Sequence, residues 1–359
     1  MGRTPLGIIL GAQWVRVQDG RYGRAGGEIF MQSVGIDVGY GAVKWVGASG
    51  SGSFASVWCP YASSAESWGI GGTARPLHVD GVPVLVGAEG RPGAHRPFAD
   101  GRLADPEALP LLAQALWAAG VQGDTVLGSG TPLGLFAQER AAARAALEGR
   151  TLRLSDGVSE RIVRIARLVL RPQGIGAALH LAAQDRLPEP PGLLVVLDIG
   201  TRTTDVATLD MSDLSPVVGL SFTCEVGVAT AAESLAASVQ SATGHLPPPD
   251  LATAALRGDA ARWRGVPLPS GCEHLDALAD AIRAEVQRRF GAEAGRVVAV
   301  APVGGGAALL ADRLAAILPA EIVSITSDGS VFANARGFYA AARRAAASWQ
   351  VGLPQTCQG

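Results

Sequence analysis

The stretch Val195-Val-Leu-Asp-Ile-Gly-Thr-Arg-Thr-Thr-Asp205 constrains this chain more than any other. An apolar run ends in Asp198, Gly200 follows, and a cluster of hydroxyls leads to Asp205. The pattern reads as a strand entering a tight hairpin. An earlier segment, Val34-Gly-Ile-Asp-Val-Gly-Tyr-Gly-Ala-Val-Lys44, has the same design. A third glycine-rich element, Val303-Gly-Gly-Gly-Ala307, follows the apolar run Arg296-Val-Val-Ala-Val-Ala-Pro302. Glycine at a hairpin tip lets backbone N–H groups reach phosphate oxygens with no Cβ in the way. Each hairpin therefore predicts a cradle for a phosphate tail.

With 359 residues, 48% of them hydrophobic, the chain is long enough for two cores. A net charge of -2 gives no electrostatic case for general nucleic-acid or membrane binding. No apolar run approaches the ~20 residues that span a bilayer. Cys59, Cys224, Cys272 and Cys357 are scattered without a CxxC pair, which argues against a zinc or disulfide framework and fits a reducing cytoplasm. The histidines show no HExxH spacing. Residues 1–30 read as an N-terminal extension, non-native or disordered. Codons for Gly26-Gly-Glu28 are able to form a purine-rich ribosome-binding sequence ahead of Met31, so the native start is expected there; a true tail with a strand at Gly7 to Leu10 is the alternative.

After Met31 the pattern predicts a three-strand meander at Ser33–Asp37, Ala42–Gly47 and Ser53–Trp58, then a strand at Val82–Val86. Helices are expected at Glu107–Ala119, Leu135–Leu147 and Ile175–Gln184, with strands at Thr125–Gly128, Arg150–Leu154 and Glu160–Leu170. Leu187-Pro-Glu-Pro-Pro-Gly192 marks the main boundary. A second meander is expected beyond it, at Leu193–Leu197, Thr203–Leu209 and Pro216–Phe222. Helices at Thr230–Ser241, Asp250–Leu256 and His274–Phe290, a strand at Arg296–Val300, and helices at Gly306–Leu318 and Val331–Ala346 complete the reading. A meander followed by strands and helices thus occurs twice, which predicts duplication at the level of fold. Two α/β domains facing each other bring both hairpins into one cleft.

The chemistry follows from the residue types. Gly39 and Gly41 open the first tip to phosphate, Lys44 adds a positive charge, and Asp37 is a candidate magnesium ligand through water. Gly200, Thr201, Arg202, Thr203, Thr204 and Asp205 repeat the logic around Asp198. Asp37 and Asp198 facing one another repel unless a cation lies between them, so Mg²⁺ is expected with the nucleotide. Gly304, Gly305 and Gly306 lie between a strand and a helix, where a side-chain-free surface takes a base or ribose and the helix N-terminus favours anions. The segment is not GxGxxG, so a dinucleotide site is a poor match. Gln173, at a break between strand and helix, is the candidate that orients an attacking water without acting as a strong base. Each motif also has a bland reading: a hairpin whose glycines only set the turn, an ordinary strand-to-helix corner, and a glutamine facing solvent.

Together, in this order, the segments resemble the ATP site of the actin, Hsp70 and sugar kinase superfamily. The resemblance is to actin-like proteins of the plasmid-segregation ParM/StbA type and covers nearly everything from Ser33 to Arg343. Asp37-Val-Gly-Tyr40-Gly-Ala-Val-Lys44 resembles phosphate loop one, Asp198-Ile-Gly-Thr-Arg-Thr-Thr-Asp205 phosphate loop two, and Val303-Gly-Gly-Gly-Ala307 the adenosine motif. Pro172-Gln-Gly-Ile-Gly-Ala177 resembles the hydrolytic segment, and Phe332-Ala-Asn-Ala-Arg-Gly-Phe338 the C-terminal connecting helix. Gly128-Ser-Gly-Thr-Pro132 departs from the family's usual Gly-Leu-Pro; the expectation is a loop away from the phosphate site.

The resemblance implies an actin-like fold of two duplicated ribonuclease H-like domains around a nucleotide cleft. Domain I is expected at 31–190 plus 325–348, domain II at 191–324 with a smaller subdomain near 236–294, and a tail at 349–359. It further implies an ATPase that uses ATP and Mg²⁺, polymerises head to tail, and moves plasmid or other DNA through an adaptor protein bound to a centromere-like site. A small-molecule kinase of the same fold is the competing reading, weakened because kinases usually place an aspartate where this chain has Gln173. A non-polymerising, nucleotide-dependent scaffold is the third.

Overall fold

A computed structural model of the chain describes residues 31–61, 75–87, 94–96, 103–187, 189, 191–259, 261–314, 317, 320–323 and 327–351. The expectations for residues 1–30 and for most of the tail lie outside them. In chain order the elements begin with β1 (Gln32–Val38), β2 (Ala42–Gly47), β3 (Gly50–Ala55), β4 (Trp58–Pro60), β5 (Leu77–Val79) and β6 (Val82–Val86). Then come α1 (Leu109–Ala118), β7 (Gly123–Thr131), α2 (Phe136–Leu147), β8 (Thr151–Ser155), β9 (Glu160–Pro172) and α3 (Ile175–Ala183). The second half has β10 (Leu193–Ile199), β11 (Thr204–Asp210), β12 (Phe222–Cys224), α4 (Val228–Thr243), α5 (Pro249–Leu256), β13 (Arg262–Trp263), β14 (Val266–Pro267) and α6 (Cys272–Phe290). It closes with β15 (Val297–Val303), α7 (Ala307–Leu314), β16 (Glu321–Ile322), α8 (Ser327–Val331) and α9 (Ala333–Val351).

The first sheet runs β3-β2-β1-β7-β9-β8-β5-β6-β4 and the second β12-β11-β10-β15-β16. In each, an antiparallel hairpin is extended on its first strand by parallel neighbours: β1 pairs with β7, and β10 with β15. The first five strands of the large sheet therefore repeat the whole order of the small one. That is the duplication expected from the two hairpins.

Two helices lie between the sheets and are exchanged between them. α3 leaves β9 of the first sheet, yet Ile175, Ala178 and Leu181 pack on Leu194, Val196 and Ala207 of the second. α9 follows the second sheet and packs Ala342 and Ala346 on Val126 and Val169 of the first. Gly35 makes this possible, because a Cβ there would overlap the backbone of Ala335 and Tyr339. The remaining cores sit on the outer faces, under α1 for the first sheet and under α4, α5 and α6 for the second.

Several expected strands are corrected. The third strand of the first meander is Gly50–Ala55 rather than Ser53–Trp58. Gly50 to Gly52 read as a turn, but Gly52 pairs with Trp45 and leaves room for its indole. Trp58–Pro60 crosses to the opposite edge as β4. The third strand of the second meander is Phe222–Cys224 rather than Pro216–Phe222: residues 216–221 make one bridge, Leu209 to Pro216, then a 3-10 turn at Val218–Leu220. Hydroxyls replace the ladder there, with Thr208 Oγ1 donating to Leu220 O at 2.7 Å and Ser221 Oγ to Val217 O at 2.9 Å. The helix expected at Gly306–Leu318 is Ala307–Leu314; residues 315, 316 and 318 lie outside the described residues. Gly128-Ser-Gly-Thr131 is the end of β7, not a loop, with Ser129 Oγ donating to Ile36 O at 2.7 Å.

Candidate functional site

The first hairpin joins β1 to β2, with Asp37 opposite Lys44 in the antiparallel register and Gly39 N donating to Ala42 O at 3.2 Å across the turn. Lys44 Nζ lies 3.4 Å from Asp37 Oδ2. Gln173 Nε2 donates to Asp37 Oδ1 at 3.0 Å, so both carboxylate oxygens are engaged. Gln173 stands where β9 gives way to α3, its own N–H held by Thr131 O at 2.9 Å. Tyr40, at the tip, has the Arg202 guanidinium 5.1 Å from its ring centre and Arg96 at 5.8 Å. Arg96 also donates to the carbonyls of Tyr40 and Gly41.

The second hairpin joins β10 to β11 and sets Asp198 opposite Asp205, with Gly200 N donating to Thr203 O at 2.9 Å. Like charges placed opposite in a ladder are unfavourable. Asp205 is relieved by the Thr223 hydroxyl on Oδ1 and by Leu133 N on Oδ2 at 3.2 Å. Leu133 directly follows the segment expected to be remote from the phosphate site; instead it ties the first half of the chain to the second hairpin. Burial nevertheless pushes the Asp205 carboxyl up to about 6, against the pull of those two donors. Asp198 rises to about 7, from burial first and then from the Asp37 and Asp205 charges, with Lys44 and Asn334 acting in the other direction. The tips meet: Gly41 lies against Thr201, where any Cβ would overlap Oγ1. Arg202 is exposed, and Thr201 and Thr203 are half-buried. Thr204 is fully buried and its hydroxyl donates to Val226 O at 2.9 Å, away from the tip. At the head of α4, Val228 N and Ala229 N are bonded to the hairpin carbonyls of Gly200 and Thr201.

Gly304 takes φ +88 and packs on Asp198 and Ile199, and Gly306 packs on Ile199 and Val228. Only Gly305 of the three is exposed, with open space beside it. The triplet thus locks β15 to the second hairpin and offers one bare position to the cleft.

Leu133, Thr223, Arg96 and Asn334 were not singled out from the sequence as site residues. Asn334, 4% exposed, donates Nδ2 to Asp198 Oδ2 at 2.6 Å and accepts on Oδ1 from Gly174 N at 3.0 Å and Ala177 N at 3.2 Å. An asparagine among alanines at the head of an otherwise apolar-faced helix was the available signal.

Among the described residues no group of three or more His, Cys, Asp or Glu converges on a metal position. Asp37 and Asp198 are close enough for one charge to raise the other's pKa. That donor set fits Mg²⁺, which keeps most of its waters and takes one or two carboxylates plus substrate phosphates.

Comparison with known proteins identifies the family. The family described as actin like proteins, N-terminal domain, matches residues 35–176, and the archaeal actin homologue MreB-like C-terminal family matches residues 196–316. An archaeal actin homolog of Thermoplasma acidophilum is 41% identical over 88% of this chain and 99% of its own length; that of Thermoplasma volcanium is 40% identical over the same shares. A crystal structure of an archaeal actin homolog in complex with ADP superposes with a TM-score of 0.79 at 38% identity, over 88% of this chain and 100% of that one. A 15-stranded ParM filament from Clostridium botulinum shares the fold, with a TM-score of 0.73 at 19% identity over 88% and 100% of the two chains. By sequence, fold and hairpin architecture, the chain belongs to the actin-like ATPase family.

Proposed function

We propose that this chain binds and hydrolyses ATP and that nucleotide binding drives its head-to-tail assembly into filaments. One observation carries the reading: Gln173 reaches Asp37 of the first hairpin, while Asp198 of the second lies within the reach of the same charge. The ADP complex of a relative supports the nucleotide, and the ParM filament of the same fold supports self-association. In this reading the phosphates lie between Asp37–Lys44 and Asp198–Asp205, with Gly39, Tyr40, Gly41, Gly200, Thr201, Arg202 and Thr203 completing the loops, while Thr204 is buried and ties its strand to Val226. The adenosine lies against Gly304–Gly306. Asp37 and Asp198 would hold Mg²⁺, and the ion would supply positive charge against the phosphates. Lys44 contributes a second point charge. Gln173 leaves Asp37 and holds a water in line with the γ-phosphate.

The domains in this reading are 31–190 with 325–348, and 191–324 with a subdomain near 236–294. A contact between unlike surfaces that does not close into a ring builds a filament. The finer proposal is DNA segregation through an adaptor at a centromere-like site, in keeping with the net charge of -2. Light scattering and pelleting on addition of Mg·ATP, with phosphate release followed in parallel, test the function. Scattering that rises with ATP and decays as phosphate appears is the expected result, and Gln173→Ala prolongs it. ATP binding without assembly at any concentration returns the chain to the kinase or scaffold reading.

A further inference from the structure

Asn334 is the second residue of α9, and its side chain joins three segments that are distant in sequence. α3 opens at Gly174, which has φ +81 and no side chain to cap the helix. The first N–H groups of a helix have no partner within it. Asn334 Oδ1 supplies one from outside, on Gly174 N and Ala177 N. Backbone N–H groups only donate, so the carboxamide oxygen must face α3 and the –NH₂ must face Asp198. The orientation of this amide is therefore fixed by its partners. Gln173 is the residue immediately before Gly174. One buried side chain thus holds the backbone that presents Gln173 and, at its other end, an oxygen of Asp198.

We infer that Asn334 is a positioning residue that couples the occupancy of Asp198 to the placement of Gln173. The inference rests on the roles given above to those two residues. A hydrated cation at Asp198 competes for the oxygen that Nδ2 now uses. A buried donor does not stay unpaired without a large desolvation cost, so the carboxamide turns or shifts when its acceptor is taken. Its other end is bonded to the first turn of α3, and the shift reaches Gln173 through one peptide unit. The arrangement resembles outer-shell partners of metal ligands, whose loss typically costs 10–100-fold in affinity or activity.

Asn334→Ala removes both functions, whereas Asn334→Asp keeps an acceptor for the α3 amides and removes the donor to Asp198. Aspartate is as good a helix cap as asparagine. The new carboxylate also faces Asp198, so turnover does not by itself separate the readings: a residue that only caps α3 leaves the protection of Gly174 and Ala177 in wild type indifferent to Mg·ADP, and coupling makes it respond. The experiment measures ATP turnover, Mg²⁺ half-saturation and amide hydrogen exchange at Gly174 and Ala177, at pH 8, for wild type, both variants and Gln173→Ala. Coupling predicts a kcat at least ~10-fold lower for Asn334→Asp, a raised Mg²⁺ requirement, and exchange protection at Gly174 and Ala177 kept in Asn334→Asp but lost in Asn334→Ala. In wild type, Mg·ADP changes that protection; in Asn334→Asp it does not. Wild-type turnover and Mg²⁺ dependence in Asn334→Asp, with Gln173→Ala slow, overturns the coupling alone. Wild-type turnover in Gln173→Ala overturns the role of Gln173 itself, and the coupling with it.

Discussion

The two hairpins share a backbone and differ in electrostatics. In β1–β2 the aspartate faces a lysine: Asp37 is paired in register with Lys44, 3.4 Å away, and takes Gln173 on its other oxygen. In β10–β11 the aspartate faces a second aspartate, its hydrogen bonds come from neutral donors (Asn334, the Thr223 hydroxyl and Leu133 N), and the opposing positive charge, Lys44, belongs to the other hairpin. The first hairpin carries its own counter-charge. The second accumulates acid and holds Asp198 at about 7 and Asp205 at about 6. Duplication supplied one geometry twice, and the residues at the ladder's end then gave the halves separate tasks. The second hairpin relieves its acid with a proton or, in the function proposed above, with a cation; the first has Lys44 beside it.

The largest expected break in this comparison is at Asp198. Asp198→Ala lowers Mg·ATP affinity at least ~100-fold, measured by calorimetry, because it removes a carboxylate ligand. Lys44→Met costs less, since Asp37 keeps the Gln173 amide. Turnover is the next test. Gln173→Ala reduces phosphate release roughly 100-fold while ATP affinity stays within about threefold, the pattern of an interaction made mainly in the transition state.

A smaller effect reports whether the tips touch. Gly41→Ala drives a methyl into Thr201 Oγ1 and costs ~1–3 kcal/mol of nucleotide-bound stability. Adding Thr201→Ala restores most of that loss, and a double-mutant cycle with no coupling energy would place the tips apart.

The smallest effect is the pH dependence of the nucleotide-free protein. Asp198 rises from 3.8 to about 7, so the fold favours its protonated form. Its contribution is complete below pH 3.8 and is lost as pH rises through about 7. The melting temperature of the free protein accordingly falls over that window, and Asp198→Asn flattens the fall. A wild-type melting temperature that rises steadily from pH 5 to 8, unchanged in slope by Asp198→Asn, contradicts the crowded second hairpin.

Much of this was legible in the sequence for a local reason. Asp37, Gly39 and Gly41, and Asp198 and Gly200, lie at the junction of an apolar run and a turn, so their placement needs only the strand period and turn chemistry. The final helix and the long α6 followed from their 3.6-residue pattern in the same way. What escaped depends on contacts across the fold. Asn334 acquires its meaning from Gly174 and Asp198, far apart in the chain and joined only when α3 and α9 are exchanged between the sheets. Leu133 is in the site through its N–H, which no side-chain pattern reports. Thr204 was grouped with the tip by composition, but it is one residue from Asp205 on a strand, so it faces the other side and bonds Val226 O. The displaced third strands were hidden by glycines that make room for Trp45 and by hydroxyls that substitute for a ladder.

The central claim is that the two hairpins form one nucleotide site completed by a cation. Isothermal titration of the wild-type chain from Met31 with ATP, in Mg²⁺ and in EDTA, tests it most directly. The account predicts one site per chain that is tight in Mg²⁺ and at least ~10-fold weaker in EDTA, with Asp198→Ala abolishing the difference. Equal affinity with and without the cation, or no binding in either, would contradict it.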